Sequence, residues 1–390
     1  MKKIILSRET FIWVQGGDIL LYNGDSGTYV LKKNAPQEIL ALCKELQIPD
    51  NLYCRQFNDS DSVIDSFADE IVAAGLGKKV DHNENFITYP PILSIQNDIS
   101  RIKGDKNVKI SHFLHSFTIY TGGYDVRNDY GYQTTYPIRS EVILPVSDIS
   151  RFIETHIVDT ISRIKILLSN KNIGYVQEII YSLKDYKDLI EFHLEYSEDI
   201  HSIVSLIEQY SISNVIYVPL DSYDDIFAIK SFIEEHTKAH PTIKFIVQSE
   251  RDCSNAEKVS NDTGYPDIGL IPIYKDNLEF FKKNILLSEA EILNSRLDRR
   301  KIFIHKSINI NEWGDLSVLP DRTVRTGPGS VAIGSTEDPV YNLIVNAMDS
   351  GDWLKTRKDG KCSSCLYNCL CPSISRFEKF LPGKTACNFK

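Results

Sequence analysis

The sequence predicts an α/β protein: a small β-then-α unit, a long run of strands alternating with helices, and a loop-rich tail. Three observations carry this. Between about residues 90 and 308, short runs rich in Ile and Val recur with helical patterns between them, which implies βαβ units and a mainly parallel sheet. Six or seven such units suit a full or partial (β/α) barrel better than a two-domain nucleotide-binding enzyme. Ahead of them, three short strand patterns with glycine-bearing turns precede two amphipathic helices. Behind them, five of the eight cysteines fall between Cys362 and Cys387. A chain of 390 residues exceeds the usual limit of one core, and these shifts divide it at 1–82, 83–308 and 309–390.

In the first part, Phe11–Val14, Ile19–Tyr22 and Thr28–Leu31 read as strands, turned by Gly16-Gly17 and by the stretch Asn23–Gly27. Pro36 suits the first turn of a helix whose apolar face is Ile39, Leu40, Cys43 and Leu46. A second helix starts near Ser60, carries Val63, Ile64, Phe67 and Ile71 on one side, and ends near Gly75 and Gly77. Three strands and helices of this kind suit a winged-helix-like domain that reads either DNA or a peptide. The second helix bears Asp61, Asp65, Asp69 and Glu70 and no Lys or Arg, so it would repel phosphates. The net charge of −9 argues the same way, because nonspecific nucleic-acid binding neutralises phosphates with Lys and Arg. A peptide laid beside Thr28, Tyr29, Val30 and Leu31, against Val63, Ile64 and Phe67, is the binding use that remains. The bland alternative is a structural cap on the larger domain.

The strands of the middle part are read at Pro91–Ile95, Phe117–Tyr120, Ile164–Leu168, Phe192–Tyr196, Val215–Val218, Ile243–Val247 and Ile268–Ile273. Ile226, Ile229 and Ile233 mark one helix between them, and Ser288-Glu-Ala-Glu291 reads as a capping box that opens another. No G-x-G-x-x-G or G-x-x-x-x-G-K-[ST] loop joins a strand to a helix, which counts against a nucleotide enzyme of either kind. Thr326–Ser330 lacks the Lys and the preceding strand of a phosphate loop and reads as a turn. His112 and His115 have no third ligand nearby. No apolar run approaches the roughly 18 residues of a membrane span, and the N-terminus lacks a signal segment, so a cytoplasmic protein without membrane contact is expected. In that compartment clustered thiols bind metal more readily than they form disulfides.

Cys362-x2-Cys365-x5-Cys371, followed by Cys387, is the strongest chemical signal, since a CxxC turn presents two soft thiolates to one centre. Cys43, Cys54 and Cys253 are scattered, and Cys369 lies outside the spacing. Four thiolates suit a [4Fe–4S] cluster or a structural zinc ion, or they remain free thiols, and spacing alone does not separate these. Arg357, Lys358, Lys361, Arg376 and Lys384 surround them, and a solvated basic tail is the ordinary reading.

With these motifs in view, the chain resembles radical SAM proteins with a C-terminal SPASM domain, which modify ribosomally made peptides. The resemblance implies a partial or full (β/α) TIM-type barrel of radical SAM type, preceded by a winged-helix-like domain and followed by a SPASM domain. It also implies that Cys362, Cys365, Cys371 and Cys387 hold the second auxiliary [4Fe–4S] cluster. The first auxiliary cluster's positions fall on Asp321, Pro339 and Ser375, none of them a good iron ligand, so that site should be degenerate. The C-x3-C-x2-C loop that holds the SAM cluster should lie near Gln96–Arg101, but no cysteine occurs between Cys54 and Cys253. The second-strand SAM motif, usually G-G-E, is Gly122-Gly123-Tyr124. The pattern resembles the pseudo-radical-SAM/SPASM proteins of Bacteroidales (GG-type) peptide-maturation systems, and residues 1–82 resemble the PqqD-like domain that binds leader peptides. The expectation is therefore a non-catalytic accessory protein that binds no SAM and takes as partners a precursor leader and a radical SAM maturase. The alternatives are an electron-transfer partner that uses the cluster and a zinc-stapled binding protein.

Overall fold

A computed structural model describes residues 1–58, 60–83, 88, 109–126, 130–197, 199–220, 225–236, 241–266, 268–358 and 360–388. The strand expected at 91–95 and the loop at 96–101 lie outside the described residues. The first part contains β1 (Lys2–Leu6), β2 (Thr10–Gln15), β3 (Asp18–Asn23), β4 (Tyr29–Lys32), α1 (Gln37–Leu46), β5 (Cys54–Phe57), α2 (Ser62–Ala73) and β6 (Gly77–Asp81). These form two three-stranded antiparallel sheets, β2-β3-β4 and β5-β1-β6. The second sheet is an addition to the three strands expected. β6 reads Gly-Lys-Lys-Val-Asp, and β5 Cys-Arg-Gln-Phe, so neither has a strand's apolar alternation. Both become strands by pairing with β1, in register Lys2↔Phe57 and Lys2↔Asp81. Both helices fall where their patterns place them. The carboxylate of Asp61 caps α2 by accepting from the Val63 and Ile64 N–H groups at 3.2 and 3.1 Å.

The middle part continues with β7 (Ser116–Tyr120), α3 (Val146–His156), β8 (Arg163–Leu168), α4 (Ile173–Ser182), β9 (Ile190–Glu195), α5 (His201–Gln209), β10 (Ser213–Pro219), α6 (Asp225–Glu235), β11 (Thr242–Val247), α7 (Glu250–Thr263) and β12 (Ile268–Pro272). It is followed by α8 (Leu278–Asn284), α9 (Glu289–Asn294), α10 (Arg299–Ser307), β13 (Asp315–Val318), β14 (Thr323–Arg325), β15 (Ala332–Ser335) and α11 (Val340–Asp349). One sheet runs β12-β11-β10-β9-β8-β7-β13-β14-β15. Its six strands from β7 to β12 are parallel and lie in chain order, whereas a doubly wound sheet reverses direction at a switch point. That singly wound order is the one a (β/α) barrel uses, but β12 and β15 each have one partner, so the described strands form an open sheet. β13, from the tail, takes the second edge of β7 in parallel register, Asp315↔Ser116 to Val318↔Ile119.

Alternation along these strands sorts the two faces. Ile164, Ile166, Phe192, Leu194, Ile216 and Phe245 enter the main core beneath the helices. The opposite face carries Thr118, Lys165, Glu191, His193, Glu195 and Asp315, and it is there that polar chemistry collects. Among the described residues no helix is long and apolar enough to cross a membrane.

Candidate metal centre

The tail beyond α11 is a succession of turns, so its shape depends on side-chain contacts. Arg357 is the main one: Nη1 and Nη2 each donate to a Glu378 carboxylate oxygen at 2.8 Å, and Nε donates to the Pro372 carbonyl at 2.6 Å. Both side chains are buried. Burial works against the Arg357 charge, but the Glu378 carboxylate outweighs it and holds the guanidinium firmly protonated. Arg376 makes a second bidentate pair with Glu312, at 2.7 and 2.9 Å. The reading of a solvated basic tail is therefore corrected at both arginines, which are paired inside the protein.

Cys362, Cys365, Cys371 and Cys387 line one small cavity together with Arg357, Asn368 and Leu287. Local turns bring the first three together: Cys365 N–H donates to Cys362 O at 3.2 Å, and Cys371 N–H donates to Tyr367 O at 3.0 Å. Cys387 arrives from the far end of the chain, pinned by hydrogen bonds from Leu287 N–H to Ala386 O (3.0 Å) and from Asn388 N–H to Leu287 O (3.1 Å). Burial pushes the Cys371 thiol up to about 12 against the pull of Arg357, and burial also raises Cys365. A metal taken up here would have to displace those protons.

The residues fit such a group. All four sulfur-bearing side chains line one cavity, and a set of four soft thiolates suits a polynuclear iron–sulfur cluster or a tetrahedral zinc ion. Cys369 does not line the cavity. It is buried in an apolar cluster with Phe11, Leu20, Tyr22, Leu366 and Leu370, and its S–H group donates to Asn368 Oδ1 at 2.9 Å.

That cluster also fixes the first domain to the tail. One face of the β2-β3-β4 sheet, through Leu21 and Val30, covers the domain's own helices, while Phe11, Leu20 and Tyr22 on the other face pack against Leu366 and Leu370. Tyr22 Oη donates to Leu297 O at 3.2 Å, and Lys33 Nζ pairs with Glu289 at 3.3 Å. β4 is an edge strand. Asn23 N–H donates to Thr28 O, so alternation turns the Val30 backbone toward β3 and leaves the N–H and C=O groups of Tyr29 and Leu31 facing outward. α2 runs alongside, tied by a Lys32–Glu70 ion pair of 2.7 Å and by Thr28 Oγ1 donating to Ala74 O at 2.9 Å. Of the expected peptide-binding side chains, Val30 and Phe67 are core residues and cannot line a groove. Tyr29 and Val63 are exposed, and Ile64 and Leu31 are half-buried.

On the sheet's polar face, Gly122 and Gly123 have φ of +74° and +119°. A Cβ on Gly122 would lie 2.1 Å from the Val142 carbonyl oxygen, and Gly123 exchanges backbone hydrogen bonds with Ser140 at 3.1 and 3.0 Å. The glycine pair is thus closed against the chain itself, and Tyr124 is exposed to solvent. Gly122→Ala is expected to cost roughly 2–4 kcal/mol in urea unfolding, from a left-handed residue with a backbone clash; a loss under about 1 kcal/mol would contradict this packing. The next segment returns over the strand ends: buried Tyr136 donates to Glu195 Oε2 at 2.7 Å and its ring packs on Tyr130 and Tyr217. Beneath them Tyr217 Oη, His193 and Glu191 form a chain of two 2.7 Å hydrogen bonds. Burial lowers the pKa of His193, so the ring is neutral, accepting at Nδ1 from Tyr217 and donating from Nε2 to Glu191. Asp321, Pro339 and Ser375 serve three separate turns: Asp321 accepts from Thr323, Pro339 precedes α11, and Ser375 caps Arg376–Lys379.

A singly wound α/β sheet with a four-cysteine cavity in its tail is what the fold and site define. No protein-family profile matches the sequence, and no curated protein matches it. Among solved structures, Streptococcus suis SuiB bound to S-adenosylmethionine is similar, with a TM-score of 0.43 and 11% identity over 100% of this chain and 99% of that one. SuiB bound to precursor peptide SuiA gives 0.44 and 11% over 98% of each chain, and SuiB alone gives 0.42 and 10% over 99% and 100%. Overlap at this level leaves function to be argued from the chain's own residues.

Proposed function

We propose that this chain is a non-catalytic, radical-SAM-like accessory protein of ribosomal peptide maturation. Residues 1–82 would act as a PqqD-like domain and hold a precursor leader as an added strand along the free edge of β4. Residues 83–308 would be a degenerate barrel that docks a radical SAM maturase. Residues 309–390 would be a SPASM-like domain in which Cys362, Cys365, Cys371 and Cys387 hold a [4Fe–4S] cluster. The observation that carries the reading is the convergence of those four thiols on one cavity. When bound, the cluster would cross-link a segment with little regular structure, so its binding energy would count as folding energy. The backbone of Tyr29 and Leu31 would give the leader its hydrogen bonds, and Tyr29, Ile64 and Val63 would meet its side chains. The filling of the strand ends by Tyr130 and Tyr136 supports a protein that binds no SAM there.

The test is titration with the cognate leader peptide. Tyr29→Pro removes an outward N–H without breaking a bond to β3, and it should weaken binding roughly five- to tenfold, the equivalent of one backbone hydrogen bond of about 1 kcal/mol. Equal affinity for the variant, or no binding at all, would remove the recognition role. One observation favours an electron-transfer role alongside. Cys362, Cys365 and Cys387 also line a groove of about 750 Å³ between the first domain and the tail, which would bring a cluster within reach of a docked partner.

A further inference from the structure

We infer that His201, Glu235 and His236 form a second metal site, for a tetrahedral divalent ion of the zinc class, on the helical side of the sheet. His201 is the first residue of α5, Glu235 the last of α6, and His236 follows it. One ligand atom from each lies within 4.8 Å of the other two. His201 Nδ1 is 3.0 Å from Glu235 Oε2 and 3.4 Å from His236 Nε2. Around a zinc ion with Zn–N and Zn–O bonds of about 2.0–2.1 Å, tetrahedral ligand atoms stand about 3.3 Å apart. His201 Nδ1 already stands near that spacing from both of its partners.

The contacts behind the ligands point the same way. His236 is 2% exposed, and its Nδ1 lies 2.8 Å from Glu208 Oε1, one face of α5 supplying both Glu208 and His201. With Glu208 held at Nδ1, the other ring nitrogen, Nε2, faces His201. A carboxylate behind a histidine is the arrangement that fixes a metal ligand's tautomer and direction. A cation placed between them would meet His201 Nδ1, Glu235 Oε2 and His236 Nε2 together. The Phe232 ring backs both imidazoles, with centroids 5.1 and 4.7 Å away. On the other side the Glu235 side chain is 59% exposed, so solvent can fill the fourth position. The ligands are nitrogen and oxygen only, and the site is independent of the cysteine cavity.

The test is equilibrium dialysis of anaerobically purified full-length protein against zinc, followed by elemental analysis. His201→Ala and Glu235→Gln are expected to hold about one zinc per chain less than the wild type with iron unchanged, and Glu208→Gln to bind that zinc 10- to 100-fold more weakly. Zinc should raise the melting temperature of the wild type and leave that of His201→Ala where it is. His201 is partly exposed, so the variant should fold, and an unchanged melt in EDTA shows that it has. Equal zinc in wild type and His201→Ala would overturn the site. So would a loss of the extra zinc in Cys362→Ser alone.

Discussion

Cys371→Ser should strip the protein of its iron. Anaerobically purified wild-type chain is expected to carry about four irons and four sulfides and to be brown, whereas the variant should be nearly colourless and its tail open to proteases. The effect is large because the tail beyond α11 has only short turns of its own and leans on whatever ties Cys362, Cys365 and Cys371 to Cys387. Metal binding in such segments is worth on the order of 10 kcal/mol of folding free energy. Cys369→Ser is the internal control. It should keep its iron and lose only about 1–2 kcal/mol, the cost of burying a hydroxyl in an apolar cluster. Iron and sulfide at wild-type levels in Cys371→Ser and Cys387→Ser would dismiss the cluster. Colourless wild-type protein with one zinc per cysteine quartet would replace it with a staple.

Arg357→Met should destabilise the protein by about 3–5 kcal/mol in urea unfolding, the usual cost of leaving one member of a buried ion pair uncompensated. The Glu378 side chain, 2% exposed, would keep a charge with no guanidinium beside it, and the Pro372 carbonyl would lose its donor. Because Arg357 also lines the cysteine cavity, the variant should take up less iron as well. The double variant Arg357→Met/Glu378→Met should recover most of the stability, since a well-packed apolar pair can replace a buried ion pair at little loss. Coupling of under about 1 kcal/mol in that cycle would mean the pair is incidental to the tail.

The strands from β8 to β11 were legible because each sets apolar residues in alternation or in a short run, with helical patterns between them. Ser288 announced a helix start through its spacing from Glu291 alone, and it caps as expected. β5 and β6 were not legible, since a polar segment becomes a strand only through a partner far away in the chain, as in Lys2↔Phe57 and Lys2↔Asp81. The same distance problem hid the placement of β13: nothing in Asp315–Val318 states that it will lie beside Ser116–Tyr120. At the site, the cysteine spacing pointed to one centre, but not to its support. Arg357 meets Glu378 across an irregular loop. His201, Glu208, Glu235 and His236 form no motif, because helix packing and not sequence spacing brings them together. Phe67 and Val30 look like binding residues from their pattern and are core residues in fact, since one apolar stripe can serve either end.

The contact of Phe11, Leu20 and Tyr22 with Leu366 and Leu370 bears on how the chain is made. The hairpin of β2 and β3 leaves the ribosome more than 300 residues before the segment that covers one of its faces. Domains ordinarily fold as units while later ones are still being translated, and here the first unit must wait with apolar side chains uncovered. A nascent chain halted before Leu366 would therefore be sticky at Phe11, Leu20 and Tyr22, and emergence of Leu366 and Leu370 would be the event that covers them.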